Sequence, residues 1–191
     1  MHFFIVALVS IAAAYLALMI AVLARRKPGY RHGVHTISEL GEVTAPDQRL
    51  VAFGVFFPVG LMLLVAAALL LMKSLHEPCA ALAALGGAIA VGYLVAAIFP
   101  CDVGSPTSGT PRQAVHNLGG AVQYIGGGFA LLTLAETHGA GFRAAGVVVL
   151  IAAVMLTLLP SNSVRGLVQR IAEGVLFAAL LYGTLLLQNA G

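Results

Sequence analysis

Six mainly apolar stretches, at about 3 to 24, 50 to 72, 79 to 99, 112 to 135, 143 to 160 and 164 to 187, alternate with short polar connections along the chain. Each is long enough to cross a bilayer as a helix, which takes roughly 20 residues. The pattern predicts an all-α, polytopic membrane protein: a single six-transmembrane-helix bundle over residues 1–191, with no room for a soluble domain. The longest connection, about 25 to 49, accommodates at most a short surface or re-entrant helix. Composition agrees: at 60% hydrophobic and 9% charged residues, the chain lacks the polar surface a water-soluble domain needs to cover itself.

Helix punctuation is clearest at Thr110-Pro111-Arg112-Gln113, where a hydroxyl cap, a proline at the first helical position and a glutamine three residues after the cap spell a capping box. The fourth helix is therefore expected to start just before His116. Pro46 and Asp47 fit the first turn of the second helix, Ser161 to Ser163 offer caps for the sixth, and Pro100 and Pro160 stop the third and fifth. Pro58, which cannot donate to the carbonyl of Gly54, predicts a kink in the second helix. Glycines crowd the third and fourth spans, and the fourth, carrying Gly119, Gly120 and Gly126 to Gly128, is expected to be central.

The ten basic residues divide eight to two between the connections. Arg25, Arg26, Lys27, Arg31, Arg49, Arg112, Arg165 and Arg170 fall on one side, and only Lys73 and Arg143 on the other. The positive-inside rule makes the first side cytoplasmic, with the N-terminus and C-terminus (Gln188 to Gly191) outside, in a plasma (inner) membrane. The basic pI then reflects arginines facing anionic membrane lipids, and no nucleic-acid partner is indicated. Five of the seven acids, Glu39, Glu42, Asp47, Asp102 and Glu173, share that side with His32, His35 and His116. A polar site at that end of the bundle would explain the clustering. Cys79 and Cys101 bracket the third span, on the order of 33 Å apart by helical rise, too far to bridge. They should label from opposite sides of the membrane.

His116, Gly120, Gln123 and Gly127 share one face of the fourth helix. Gln123, inside the membrane, needs a partner and either ties two helices together or floors a cavity whose mouth holds His116. Arg170 and Glu173, three apart within the sixth span, either pair with each other or face a watery cavity. In the first connection, Thr36 and Glu39 have capping-box spacing, while His35 and Glu39 are four apart. With Asp102 and His116 they make two imidazoles and two carboxylates, a possible divalent-metal set, for example for Zn²⁺, that would activate a water. No HExxH, GxSxG or phosphate-loop signature accompanies them.

Tyr30-Arg31, Ile37-Ser38-Glu39-Leu40-Gly41, Phe99-Pro100-Cys101-Asp102, His116-Asn117 and Arg170-Ile171-Ala172-Glu173 together resemble the bacterial and archaeal six-pass membrane proteins of domain of unknown function 998. A serine-containing turn after the first helix and a histidine opening the fourth are distantly similar to the FRAG and DRAM membrane proteins. The resemblance implies a six-helix membrane protein with polar motifs on its cytoplasmic connections and a role in handling lipids. It carries Ser38, Glu39, Asp102, His116, Arg170 and Glu173 over as a candidate site, and brings no reaction.

Three functions follow as expectations. The first is a polar, basic cavity that binds or remodels a lipid or other anionic headgroup, with charge from Arg112, Arg165 and Arg170, shaped by Ser38, His116, Gln123, Asp102 and Glu173. The second is a metal-assisted hydrolase or transferase, with Glu39, Asp102 and His116 as catalytic candidates and His35, Glu39, Asp102 and His116 as metal ligands. The third is a small-solute transporter, pointed to by Pro58 and the Arg170 and Glu173 pair.

Overall fold

The computed structural model describes residues 1–76 and 78–189, and the side chains of all of these but Gln188 and Asn189. Residues 190–191, expected on the outer face, lie outside the described residues. Six helices follow one another: α1 (His2–Arg26), α2 (Leu50–Lys73), α3 (Cys79–Ile98), α4 (Pro111–His138), α5 (Ala140–Leu158) and α6 (Arg165–Asn189). Each has the length and apolarity to cross a membrane. Among the described residues there is no strand, and a single 3₁₀ turn, Ser38–Gly41, interrupts the first connection.

Successive helices pack side by side, α1 closes the ring against α6, and α3 touches α6 across the middle. The third helix is the most enclosed, with 61% of its apolar window buried, and α4, expected to be central, comes next at 50%. Glycines in α4 permit close contact, but its early turns also line a cavity and therefore lack neighbours on one side. Leu82, Leu85, Ile89, Leu131, Leu134, Leu176 and Leu180 form the fully buried centre.

Two helices widen into π turns, at Leu50–Phe56 in α2 and Val122–Gly126 in α4. Such bulges leave backbone groups without their usual partners and cluster at functional sites. In α2 the feature sits just before Pro58, whose missing N–H frees the Gly54 carbonyl. Tyr15 of α1 donates its hydroxyl to that oxygen at 2.5 Å, satisfying it inside the membrane.

At one end of the bundle the three basic connections are stitched together. Val43 donates to the carbonyl of Cys101 at 3.0 Å and Gly104 to Glu42 at 2.7 Å, while the amides of Gly166 and Leu167 donate to the carbonyls of Val34 and Gly33, each at 2.9 Å. The last two bonds fill donors that every helix N-terminus leaves open. At the opposite end His2 meets Lys73 at 3.4 Å and donates to the Thr184 carbonyl, so the connections alternate as the charge pattern predicts.

Candidate functional site

Most acids at the basic end serve to neutralise it. Asp47 pairs with Arg26 at 2.7 Å, Glu42 with Lys27 at 2.6 Å, and Asp102 with Arg112 at 2.6 Å. Glu39 completes the capping box: its Oε1 accepts from the Thr36 amide (2.8 Å) and hydroxyl (3.0 Å), and its own amide donates back to Thr36. The backbone carbonyl of Glu39 receives the Lys27 ammonium. The acid clustering therefore comes largely from ion pairs and caps.

The start of α4 is built on Asp102. Thr110 Oγ1 caps the helix by accepting from the Gln113 amide, but the reciprocal acceptor is Asp102, which takes the Thr110 amide at 2.8 Å and hydroxyl at 2.9 Å. Gln113 instead reaches back, accepting from the Asp102 amide and donating to Pro106 and Asn117. The bonds from Thr110, then the Arg112 guanidinium, hold the Asp102 carboxyl below the usual carboxylate range. Cys101 is buried, donates to the Ser38 carbonyl, and has its thiol pushed up to about 12 by burial and then the charge of Glu42. Cys79 is buried as well, so neither thiol is open to the two-sided labelling that the sequence suggests.

Arg170 and Glu173 do not pair. Arg170 rises to the first connection, where it donates to Tyr30 Oη at 2.5 Å and to the carbonyls of His32, His35 and Gly166 at 2.6, 2.9 and 2.9 Å. Tyr30 in turn donates to the Thr36 carbonyl, stacks on His35, and is pushed up to about 12 by burial, against the pull of Arg170. His35 Nδ1 accepts from the Arg31 amide. Of the proposed metal set, His35 is thus held in the connection, Glu39 in its cap, and Asp102 at the α4 cap. Among the described residues no three His, Cys, Asp or Glu side chains converge as metal ligands.

What does converge is a cavity of about 460 Å³ between the early turns of α4, the end of α5 and the start of α6, roofed by the first connection and by the one between α3 and α4. This size lies within the range of small-molecule sites, roughly 300 to 1,000 Å³. Its upper wall is polar, with Thr36, Ser38, Ser105, His116, Asn117, Arg165 and Gln169. Its apolar lining runs from Leu156 near the basic end of α5 and Ala153 down to Leu118, Ala121 and Ile125 of α4. Leu118 and Ile125 are themselves exposed, so the apolar side of the cavity is not sealed. Ser105, buried in the wall, holds a left-handed φ of 45°, a strained conformation that its surroundings enforce.

Arg165 is the cation of this cavity. It is 6% exposed, its Nε is buried without a partner, and it belongs to none of the ion pairs among the described residues. Arg112 and Arg170 are engaged elsewhere, which corrects the expectation of a three-arginine site. His116 Nδ1 lies 2.8 Å from the Phe99 carbonyl; since a carbonyl only accepts, Nδ1 donates, and the neutral ring offers Nε2 as an acceptor.

Beneath lies a second chamber of about 40 Å³, sharing Ser38, His116, Gly120, Tyr124 and Gln169 with the first and ending at Glu173. Glu173 accepts from Tyr93 on Oε2 at 2.9 Å, and from Gln123 and Tyr124 on Oε1 at 2.7 and 2.6 Å. Adjacent residues rarely reach one atom from a regular helix; the π turn at 122–126 rotates less per residue and lets them. Gln123 thus ties helices together and floors the chamber at once. Gly92 makes room for it: a Cβ there would lie 2.7 Å from the Gln123 Cβ and Cδ.

Tyr93, Tyr124 and Gln169 escape the sequence reading. Their signals were present: a phenol at membrane depth needs a partner for its hydroxyl, and Arg165, Gln169 and Glu173 recur every four residues on one helical face. A family model described as protein of unknown function (DUF998) matches residues 10–186. No curated protein and no solved structure matches the chain.

Proposed function

The chain belongs to the DUF998 family of membrane proteins, and because the family description assigns no reaction, we propose a function from the site itself: the cavity holds one anionic amphiphile, its headgroup at Arg165 and its chain along the apolar wall. The observation that carries this reading is the buried Arg165 guanidinium, which faces a polar cavity with no acid paired to it. Glu39 is near enough to act on that charge but spends its Oε1 on Thr36 and does not pair with it, and a buried cation with no directly bonded counter-charge is costly. A bound phosphate or carboxylate would relieve that cost and could take two parallel bonds from the planar guanidinium. Hydroxyls of Ser38 and Ser105 supply further partners on the same wall, while the Asn117 amide is spent on the Pro106 and Thr107 carbonyls. Below them the lining turns apolar, as a hydrocarbon chain entering between α4 and α5 requires. By the positive-inside rule this end is read as cytoplasmic, in a plasma (inner) membrane.

Lipids retained by the protein, extracted in native membrane particles and counted by mass spectrometry, should be enriched in an anionic or phospho-headgroup species relative to the surrounding membrane. Arg165→Gln should weaken that retention by roughly tenfold to a hundredfold, as expected for a hydrogen bond to a charged group of about 1.5–3 kcal/mol. Arg143→Gln, at the opposite end of the bundle, should leave it in place. Excess inorganic phosphate should fail to displace the lipid, because it lacks a chain for the apolar wall; displacement would point to a free anion instead. Equal lipid inventories for the native and Arg165→Gln proteins would overturn the reading.

A further inference from the structure

Arg165, Gln169 and Glu173 form one stripe down α6, from the large cavity, past the shared wall, to the end of the small chamber. That chamber, at about 40 Å³, exceeds the roughly 10–15 Å³ a water needs, and it has polar partners on several sides. Its end group, Glu173, is 6% exposed and receives three bonds, all from neutral donors. No Lys, Arg or His pairs with it among the described residues. An ionised carboxylate at membrane depth without a cation is expensive, whereas the neutral acid is not, and a polar route to the basic end is at hand.

We propose that Glu173 is a proton-binding site inside the membrane, served from the basic end through the small chamber, and that its protonation is linked to anion binding at Arg165. The titratable groups facing it are Tyr93 from α3 and Tyr124 and His116 from α4. From α2 the chamber receives Phe56, and from the first connection Ile37 and Ser38. α5 contributes only the neutral Ala153, Leu156 and Thr157 to the larger cavity. On α1, Tyr15 is bonded to the Gly54 carbonyl. His116, which lines both chambers with its Nε2 free to accept, is the group through which a proton passes between them.

Only the linkage rests on the anion reading; the proton site does not. Eight residues of helix separate Arg165 from Glu173, about 12 Å along the axis. At an effective permittivity of about 20, unit charges at that distance change each other's binding about tenfold. A bound anion disfavours ionised Glu173, so binding takes up a proton, and affinity falls about tenfold as rising pH ionises the carboxyl.

The test uses the full chain in phosphatidylcholine nanodiscs, with decyl sulfonate as a probe that keeps one charge throughout. Titration in weak buffer with an indicator dye should register proton uptake, and affinity should fall about tenfold from low to high pH. Infrared difference spectra should contain a deuterium-sensitive carboxyl band. Glu173→Gln should abolish the band, the uptake and the pH dependence. Gly120→Leu provides a second variant: a Cβ there meets no atom within 4 Å, so the leucine fills the chamber mouth and should slow deuteration of the band. Sulfonate binding without proton uptake, or a carboxyl band unchanged in Glu173→Gln, overturns the inference and leaves the anion reading standing. A band that titrates and deuterates while sulfonate fails to bind upholds the proton site and overturns the anion reading.

Discussion

Replacing Gly92 by alanine adds one methyl group at the tightest point of the buried cluster. The new Cβ would lie 2.7 Å from two carbons of the Gln123 side chain, closer than such atoms approach, so Gln123 must move. Overpacking of a filled interior costs about 1–3 kcal/mol. Moving Gln123 also breaks its 2.7 Å bond to Glu173, and loss of a buried hydrogen bond costs about 1–3 kcal/mol more. The combined destabilisation of about 2–6 kcal/mol should lower the melting temperature by roughly 4 °C or more. A thiol-reactive dye is a direct reporter, since Cys79 and Cys101 are both buried until the bundle opens. The decisive comparison is a double-mutant cycle with Gln123→Gly, which removes the whole obstructing side chain, including the Cβ that an alanine would keep 2.7 Å away. There, Gly92→Ala should cost less than about 1 kcal/mol, giving a coupling that independent sites lack. Equal costs in both backgrounds would refute the claim that Gly92 exists to seat Gln123.

Acid sensitivity should be traceable to Asp102. Its carboxyl is held below the ordinary value of 3.8, so its bonds stabilise the α4 start in full above that value and are lost as pH falls through the lower folded value. Asp102→Asn should remove this part of the acid transition in a pH series of melts, and superimposable acid limbs would refute it. Cys101, with its thiol pushed up to about 12 and enclosed, should resist maleimide at pH 8 from either side of the membrane and react only after denaturation; labelling of native protein, read by mass, would contradict the structure. Arg170→Lys cannot keep four bonds in one fork-shaped arrangement. It should cost about 1–3 kcal/mol and speed hydrogen exchange over residues 32–37, while the infrared signature of Glu173 stays unchanged. Unchanged exchange, or a shifted Glu173 band, would count against the separation of the two residues.

The six spans were legible because bilayer thickness imposes a length and hydrocarbon imposes a composition, and neither depends on tertiary detail. The start of α4 was legible too, since Thr110 and Pro111 act locally. The site was legible only in parts. Arg170 and Glu173 share a face, but a guanidinium on a long stem extends toward the aqueous end, and there Tyr30 and three carbonyls await it. The stripe that matters uses the other helical spacing, four residues, from Arg165 through Gln169 to Glu173. The meeting of Gln123 and Tyr124 on one oxygen depends on a π turn that a 3.6-residue periodicity does not encode. His35, Glu39, Asp102 and His116 looked convergent because their connections are neighbours. Each proved committed to its own local bond, a matter of loop conformation that spacing does not determine.

The first turn of α6 leans on the carbonyls of Gly33 and Val34, and a Cβ at Gly166 would lie 2.5 Å from the His32 oxygen. Those acceptors leave the ribosome early and wait for donors encoded more than a hundred residues later. A nascent chain halted before the sixth span would hold five membrane-inserted segments, yet lack the wall, the cation and the buried acid that the last segment delivers. The pocket therefore matures only when α6 joins the bundle, and a product cut short before Arg165 would be an inserted but empty-handed bundle.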